Sequence, residues 1–253
     1  MLQEFISTDI YKLLLLFSRL GATMMLLPGI GSGLVYVRAR LILALAIAFL
    51  LLPSLRGVLP AMPADPLAMF LLLFTEATIG LFMGTVTMIL MSPLDLAANS
   101  IGYSVGLTNM FTLDPITSQQ SQLMVGFLNL TAMTIVFASD AHHLMIRAIV
   151  DSYTLFTPGQ VLPTDDFSAH LVKLMGESLV MGFRMAAPLV VFALSFNTAL
   201  GLLNRMVPQI PVFLVGLPIQ IMCGLIVLAL TMPIIMYWVI VFLDNGLAPF
   251  GGG

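Results

Sequence analysis

The chain has 253 residues, of which 60% are hydrophobic and 8% charged, and its formal net charge is −3. Soluble globular domains carry about 25% charged residues, so this composition excludes an ordinary soluble domain and predicts a membrane protein whose apolar surface faces lipid or protein partners. Nine scattered Lys and Arg exclude a basic surface for nucleic acid, and a single cysteine excludes a disulfide framework and a multi-cysteine metal site.

Apolar tracts follow one another along the chain. A bilayer crossing needs about 20 mostly apolar residues, and six tracts approach or exceed that length: 11–27, 34–52, 67–91, 122–138, 167–204 and 212–243. Pro28 closes the first tract and Pro53 the second. The sequence therefore predicts an all-α membrane protein of about six long, partly kinked apolar helices arranged in hairpins.

Two stretches between the tracts are too polar to face lipid. Residues 95–122 are rich in Gly, Asn, Ser and Thr, and they are predicted to begin as a helix and end in a loop around Asp114 and Pro115. Residues 139–166 predict a water-exposed helix end and a connection to the fifth tract. Near the C-terminus, prolines at positions 208, 211, 218 and 233 divide the charge-free run 206–243 and predict a bent hairpin.

Charged side chains interrupt the apolar tracts, and each would cost about 2.5–3.5 kcal/mol or more if it met lipid at the bilayer centre. They are Lys12, Arg19, Glu76, Lys173, Glu177 and Arg184. Lys173 and Glu177 are four residues apart and placed to pair on one helix face. Lys12 and Arg19 share a face that has no acidic residue between them, so their counter-charges are expected on other chains. Basic residues give no clean positive-inside alternation, which is typical of helices held by neighbouring subunits.

Small residues recur at helical spacing. Gly80 and Gly84 form a G-x-x-x-G pattern on a face continuous with Glu76, while Gly102 and Gly106 repeat the spacing in the next segment. Such patterns let helix backbones approach closely. Close helix packing is the favoured interpretation, and a specific contact with another subunit is the alternative.

Two further patterns invite a metal or catalytic interpretation. The 19 methionines, with His142, His143 and Cys223, offer soft ligands for copper, but they do not form a convergent cluster, and adaptable packing is favoured. Asp140 lies three residues before His143, which suggests a proton relay, yet no nucleophile stands at motif spacing. A polar helix end at the water interface is favoured. We therefore predict no enzymatic activity, metal or cofactor.

Several strings resemble the FliR family of type III secretion export-gate subunits, and together they span the chain. SRLGATMMLLPGIGSGLVYVRARLILALAIAFLLLP is similar to the family's opening, TEATIGLFMG to its Glu and Gly helix, and ANSIGYSVGLTNMFTLDP to its Gly-rich segment. SDAHHLMIRAIVDSYTLFTPG resembles its His-bearing helix. The C-terminal block, which contains Arg205, Pro208 and Gln209, is the most specific match, and these three residues are expected to mediate packing or a subunit contact.

The resemblance implies a non-enzymatic core subunit of the flagellar export gate. Such a subunit would join FliP-type and FliQ-type subunits, as a single copy in a helical hetero-oligomer, to form a channel for unfolded flagellar subunits, beside FlhB-type and FlhA-type proteins. Residues 1–204 would resemble a FliP unit, and residues 205–245, as a C-terminal hairpin, a FliQ unit. The implied location is the bacterial inner membrane, in the flagellar basal body. A virulence injectisome subunit and a secondary transporter are the alternatives.

Residues 106–120, GLTNMFTLDPITSQQ, are predicted to be a plug that lies across the channel. The segment is too polar for lipid, and apolar side chains in its middle would exclude water from a narrow pore. The resemblance places a loop at this position in the closed channel. An exposed connection without a sealing role is the alternative. The residues expected to form the plug are Gly106, Leu107, Met110, Phe111, Asp114 and Pro115.

Overall fold

A computed structural model describes residues 2–31, 33, 35–106, 121–159, 164–207, 209 and 212–250. These residues form helices and connections without a strand. The helices are α1 (Leu2–Leu26), α2 (Val37–Leu55), α3 (Pro66–Val105), α4 (Ser121–Ala138), α5 (Ala141–Leu155), α6 (Thr164–Met206) and α7 (Val212–Leu247), and a short 3₁₀ turn, Ala248–Phe250, follows α7. The protein is therefore all-α, as predicted.

Four helices of the described chain, α2, α3, α6 and α7, are long and apolar enough to cross a membrane, and a fifth crossing results if α4 and α5 form one broken span. Most described residues of these four helices are half-buried or exposed on the chain itself. At 1.5 Å per residue, the 40 residues of α3 and the 43 residues of α6 extend about 60 Å, roughly twice the thickness of a bilayer core. The protein is an all-α membrane protein with helices that exceed a simple crossing.

The third apolar tract ends at position 91, but the helix that contains it, α3, continues to Val105 with Pro93 inside it, so residues 95–122 begin as a helix, as predicted. Polar side chains after Pro93 find partners: those of Asn99, Ser100 and Ser104 donate to carbonyls one turn earlier in α3. Asp95 accepts a hydrogen bond of 2.6 Å from the amide of Asn129 in α4. Similarly, α2 continues two residues beyond Pro53.

Residues 139–166 contain a complete helix, α5, where the sequence predicted a helix end and a connection. Asp140, with a φ of 58° in the left-handed region, precedes the first helical residue. The buried residues of α5 recur at spacings of three and four, which is the pattern of an amphipathic helix. They are Ala141, Met145, Ala148, Ile149, Ser152 and Tyr153. With only 15 residues and several charges, α5 is too short and too polar to be recognised as an apolar tract.

The predicted hairpin within residues 205–245 is also corrected. Residues Val212–Leu247 form the single helix α7, which contains both Pro218 and Pro233. Each proline removes one backbone hydrogen bond, and neither reverses the chain. Helix α7 packs against α6, since the side chain of Leu200 in α6 lies 2.7 Å from the position of a Cβ atom added to Gly216.

The first of two compact units comprises Met1–Leu90, Asp140–Leu174 and Leu243–Gly253. Aromatic rings from α3, the residue after α5, α6 and the final 3₁₀ turn meet in its interior. Phe82 and Phe167 stack with ring centroids 3.9 Å apart, and Phe156 meets Phe167 edge to face at 5.0 Å. Phe250 packs perpendicular to His170 at 5.5 Å. These contacts fix the C-terminal turn to the rest of this unit.

The second unit comprises Met91–Ser139 and Met175–Phe242. The C-terminal half of α3 contacts three other helices there. Ser92 shares a hydrogen bond of 3.0 Å with Ser178 of α6, Asp95 binds Asn129 of α4, and the last turn of α3 meets α7. No boundary of either unit falls at 204/205, so the division into FliP-like and FliQ-like parts remains a prediction from resemblance.

Candidate functional site

Arg19 is the centre of a buried polar cluster in the first unit. Its Nε atom donates a hydrogen bond of 2.7 Å to Glu76 and one Nη atom donates a bond of 3.0 Å to the same carboxylate, and both side chains are fully buried. The remaining donors reach α5 and its end, at the hydroxyl of Ser152 (3.2 Å) and the carbonyl of Phe156 (2.9 Å). The guanidinium carbon also lies 3.9 Å from the ring centroid of Tyr153. One arginine therefore joins α1, α3 and α5.

The expectation that the counter-charge of Arg19 belongs to another chain is wrong, because Glu76 of the same chain pairs with it. A buried bidentate pair is favourable only when its geometry is good and its other donors are satisfied. Both conditions hold here. The cluster is therefore part of how this chain folds.

The G-x-x-x-G pattern of α3 lies directly against α1. A Cβ atom at Gly80 would overlap the carbonyl oxygen of Arg19, and one at Gly84 would lie 2.8 Å from the Cβ of Leu26. The hydroxyl of Thr23 bridges the two helices, since it donates to the carbonyl of Gly80 at 3.0 Å. The glycine face of α3 therefore packs closely against α1 of the same chain. Gly102 faces α4 more loosely: a Cβ there would lie 3.6 Å from the Cβ of Met124.

The other predicted buried charges lie at the surface of this chain. Lys12 is half-buried, and its ammonium donates to the backbone carbonyl of Arg56 at 3.0 Å. Lys173, Glu177 and Arg184 of α6 are exposed. Their burial within an assembly stays a prediction.

Of the predicted plug residues, Gly106 belongs to the described chain, and Leu107, Met110, Phe111, Asp114 and Pro115 lie outside it. Gly106 directly follows the last residue of α3 and has a φ of +83°. The amide of Gln220 in α7 donates to the carbonyl of Ser104 at 3.1 Å, and its carboxamide carbon lies 3.4 Å from the position of a Cβ atom at Gly106. The start of the predicted plug is therefore held by α7.

The predicted contact residues after α6 are solvent-accessible where the structure describes them. Arg205 and Gln209 are exposed, and Pro208 lies outside the described residues. Exposure on the isolated chain leaves these side chains available to a partner. Their role in packing or subunit contact stays a prediction.

Asp140, His142 and His143 form an exposed cluster at the start of α5. Nδ1 of His143 lies 3.5 Å from Oδ1 of Asp140, and the two imidazole rings have centroids 4.1 Å apart. Their potential ligand atoms all lie within 4.8 Å of one another. The side chains of Asp140 and His143 are 78% and 69% exposed. This geometry fits the predicted polar helix end at the water interface.

Two site residues, Ser152 and Gln220, were given no site role from the sequence. Ser152 lies in the string that resembles the family's His-bearing helix, and its helical spacing from other buried positions marks it as an inward residue. Gln220 is the only amide in an otherwise apolar run from 212 to 230. A lone amide inside a membrane helix is a signal of a buried hydrogen bond, and that signal identifies the position.

The fold and the satisfied internal charges define an integral membrane protein of long, closely packed helices. The chain matches the model of the bacterial export proteins, family 1, over residues 10–246. It belongs to that family.

Named relatives agree with this assignment. The chain is 35% identical over 231 residues to the flagellar biosynthetic protein FliR of Caulobacter vibrioides, covering 91% of this chain and 92% of that protein. It is 29% identical to the FliR of Bacillus subtilis over 225 residues, or 88% of this chain and 86% of that protein. The FliR of Escherichia coli is 29% identical over 211 residues, or 82% and 79%. The resemblance predicted from the sequence is confirmed.

Proposed function

We propose that this chain is a non-enzymatic core subunit of the flagellar type III protein export gate. In this role it joins FliP-type and FliQ-type subunits in the bacterial inner membrane, at the flagellar basal body, and the assembly forms the channel for unfolded flagellar subunits. FlhB-type and FlhA-type proteins lie beside it. The observation that carries the proposal is the family match over residues 10–246, together with relatives named as flagellar biosynthetic proteins.

The surface of the chain supports a role within an assembly. Helices α3 and α6 are about twice as long as a bilayer core is thick, and most described residues of α6 are exposed. Exposed Arg184 lies on the apolar helix α6, where contact with lipid would be costly. Protein partners or channel water would satisfy this charge.

Within this role, residues 106–120 act as the plug of the closed channel. The support is chemical and positional: α3 ends at a buried, positive-φ glycine, Gly106, and the following sequence is polar with Met110 and Phe111 at its centre. Apolar side chains in a narrow pore exclude ions by dewetting and still yield to a polypeptide.

Co-purification tests the assembly. The tagged chain, expressed from its native locus and extracted in mild detergent, is expected to bring FliP-type and FliQ-type chains with it and to be unstable when expressed without them. Recovery of a stable single chain that transports a small solute in liposomes would instead establish a secondary transporter. Partners encoded with a virulence apparatus would establish the injectisome subunit.

Membrane permeability to ions and small solutes tests whether residues 106–120 seal the channel. Changing Met110 and Phe111 to serine is expected to leave the complex assembled and to make the membrane permeable to ions and small solutes. The matched control changes the exposed Met175 of α6 to serine. A tight membrane around an assembled double variant would show that the segment has no sealing role.

A further inference from the structure

We propose that Gln220 is a positioning residue, whose side chain closes the C-terminal end of α3 and thereby sets the path on which the chain leaves α3 toward residue 107. The assignment of Gln220 stands on the contacts between α3 and α7. Its consequence for export rests on the proposed function of residues 106–120.

The setting of Gln220 explains why an amide is present in this helix. Gln220 is 3% exposed, and Ser104, Val105 and Gly106 around it are buried. A buried amide that forms no hydrogen bond is strongly unfavourable. Its Nε2 atom donates to the carbonyl oxygen of Ser104 at 3.1 Å. The amide is therefore retained for a specific partner in α3.

Gln220 binds a backbone carbonyl that has no hydrogen-bond donor within its own helix, because it lies at the helix end. The last four carbonyls of an α-helix have no amide partner inside the helix, and in an apolar environment water does not replace it. Ser104 is the penultimate residue of α3. Gln220 supplies the missing donor from α7, so α3 ends in the interior of the second unit without an unsatisfied carbonyl at this position.

The contact also constrains the next residue. Gly106 adopts a φ of +83°, which an L side chain rarely adopts, and a Cβ atom there would meet the carboxamide of Gln220 at 3.4–3.7 Å. One turn along α7, a Cβ at Gly224 would lie 3.2 Å from the Cα of Val105. Gln220 and Gly224 of α7 therefore lie directly against Val105 and Gly106, the last two residues before position 107. The direction of the chain at residue 106 follows from this double contact.

The experiment uses the assembled complex and a reporter that does not depend on sealing. A cysteine replaces Thr108 in a Cys223→Ser background, and the rate of its modification by a membrane-impermeant maleimide is measured in membranes. Gln220→Met removes the hydrogen bond at similar volume, and Gly106→Ala disturbs the same contact from the other side. Each is expected to change the modification rate by about tenfold, as loss of one buried hydrogen bond shifts a local equilibrium.

A control and a second readout make the outcome decisive. Thr231→Val is the matched control, because this hydroxyl donates within α7 to the carbonyl of Val227 at 2.9 Å, and it is expected to leave the rate unchanged. Ion leakage is measured in the same membranes. Leakage of Gln220→Met, to the level of the Met110 and Phe111 serine variant, is expected if both proposals hold.

The possible results separate the two proposals. If the serine variant stays tight while Gln220→Met changes the modification rate, the plug is wrong and the positioning role stands. If the serine variant leaks while Gln220→Met and Gly106→Ala keep the parental rate, the positioning role is overturned. Should Gln220→Met fail to assemble, the rate in Gly106→Ala decides alone.

Discussion

Replacing Arg19 with methionine is expected to destabilise the chain strongly, because it leaves the carboxylate of Glu76 buried without a counter-charge. In the parent, that carboxylate accepts bonds of 2.7 and 3.0 Å, and neither side chain reaches solvent. Removal of one partner from a buried pair costs about 3–5 kcal/mol. The converse change, Glu76→Met, leaves the buried guanidinium without a counter-charge, and we expect it to lower the stability by about the same amount.

The double variant Arg19→Met/Glu76→Met distinguishes the cost of leaving one charge unpaired from the cost of losing the other contacts of the pair. Two apolar side chains replace two charges, which is often close to neutral. The hydroxyl of Ser152 keeps its own bond of 2.6 Å to the carbonyl of Ile149, whereas the carbonyl of Phe156 loses the arginine donor. The expected cost is about 1–3 kcal/mol, well below the roughly 6–10 kcal/mol of two additive losses.

A fluorescent C-terminal fusion and size-exclusion chromatography after heating measure these differences in detergent extracts. A chain of this size shifts its melting midpoint by about 2–4 °C per kcal/mol, so each single variant is expected to melt about 10 °C lower. Arg56→Met is the control, since Arg56 pairs with Asp9 at 2.8 Å on the surface and such pairs contribute about 1 kcal/mol or less. Single variants that melt like this control, or a double variant that loses the sum of both, would refute the reasoning.

Three further predictions use matched positions. Gly80→Leu is expected to prevent stable folding, because its Cβ would overlap the backbone of α1, whereas Gly126→Leu, with no other atom within 4 Å of its Cβ position, is expected to leave the amount of extracted protein unchanged. Phe250→Ala removes a 5% exposed ring and is expected to cost about 3 kcal/mol in thermal stability; Phe127, 51% exposed, is the control. Arg184→Ala is expected to keep the melting midpoint of the chain and to lower the recovery of FliP-type and FliQ-type partners, so equal recovery would contradict a partner at this face.

The sequence predicts the presence of the apolar helices well and some of their ends poorly. Pro28 does follow the end of α1 at Leu26, but Pro53 and Pro93 lie inside α2 and α3. A proline ends a helix only when nothing else compensates the lost hydrogen bond and the bend. Beside Pro93, the side chains of Ser92 and Asp95 bond to α6 and α4, and contacts between helices far apart in sequence are not encoded in a local pattern.

The candidate site shows the same limit. Arg19 and Glu76 are recognised as costly charges from the sequence, yet 57 positions separate them, and no local rule pairs them. The partner residues on α5 and at its end lie 133 and 137 positions beyond Arg19, in a stretch where the resemblance implies a helix and the apolar pattern does not. Gly80 is recognised by its spacing, and only the structure distinguishes packing against α1 from contact with a second chain.

The wide sequence separation within the Arg19 cluster has a consequence for biosynthesis. The ribosome delivers α1 first, and its guanidinium has no carboxylate partner until residue 76 has emerged and no acceptor from α5 until residues 152 and 156 follow. An unpaired arginine in an apolar environment is too costly to persist, so early helices of this chain stay near water or an insertion factor until the third and fifth helices are made. A ribosome stalled before residue 156 is therefore expected to hold a nascent chain whose first unit has not closed, and such intermediates would be the natural substrates of membrane quality-control proteases.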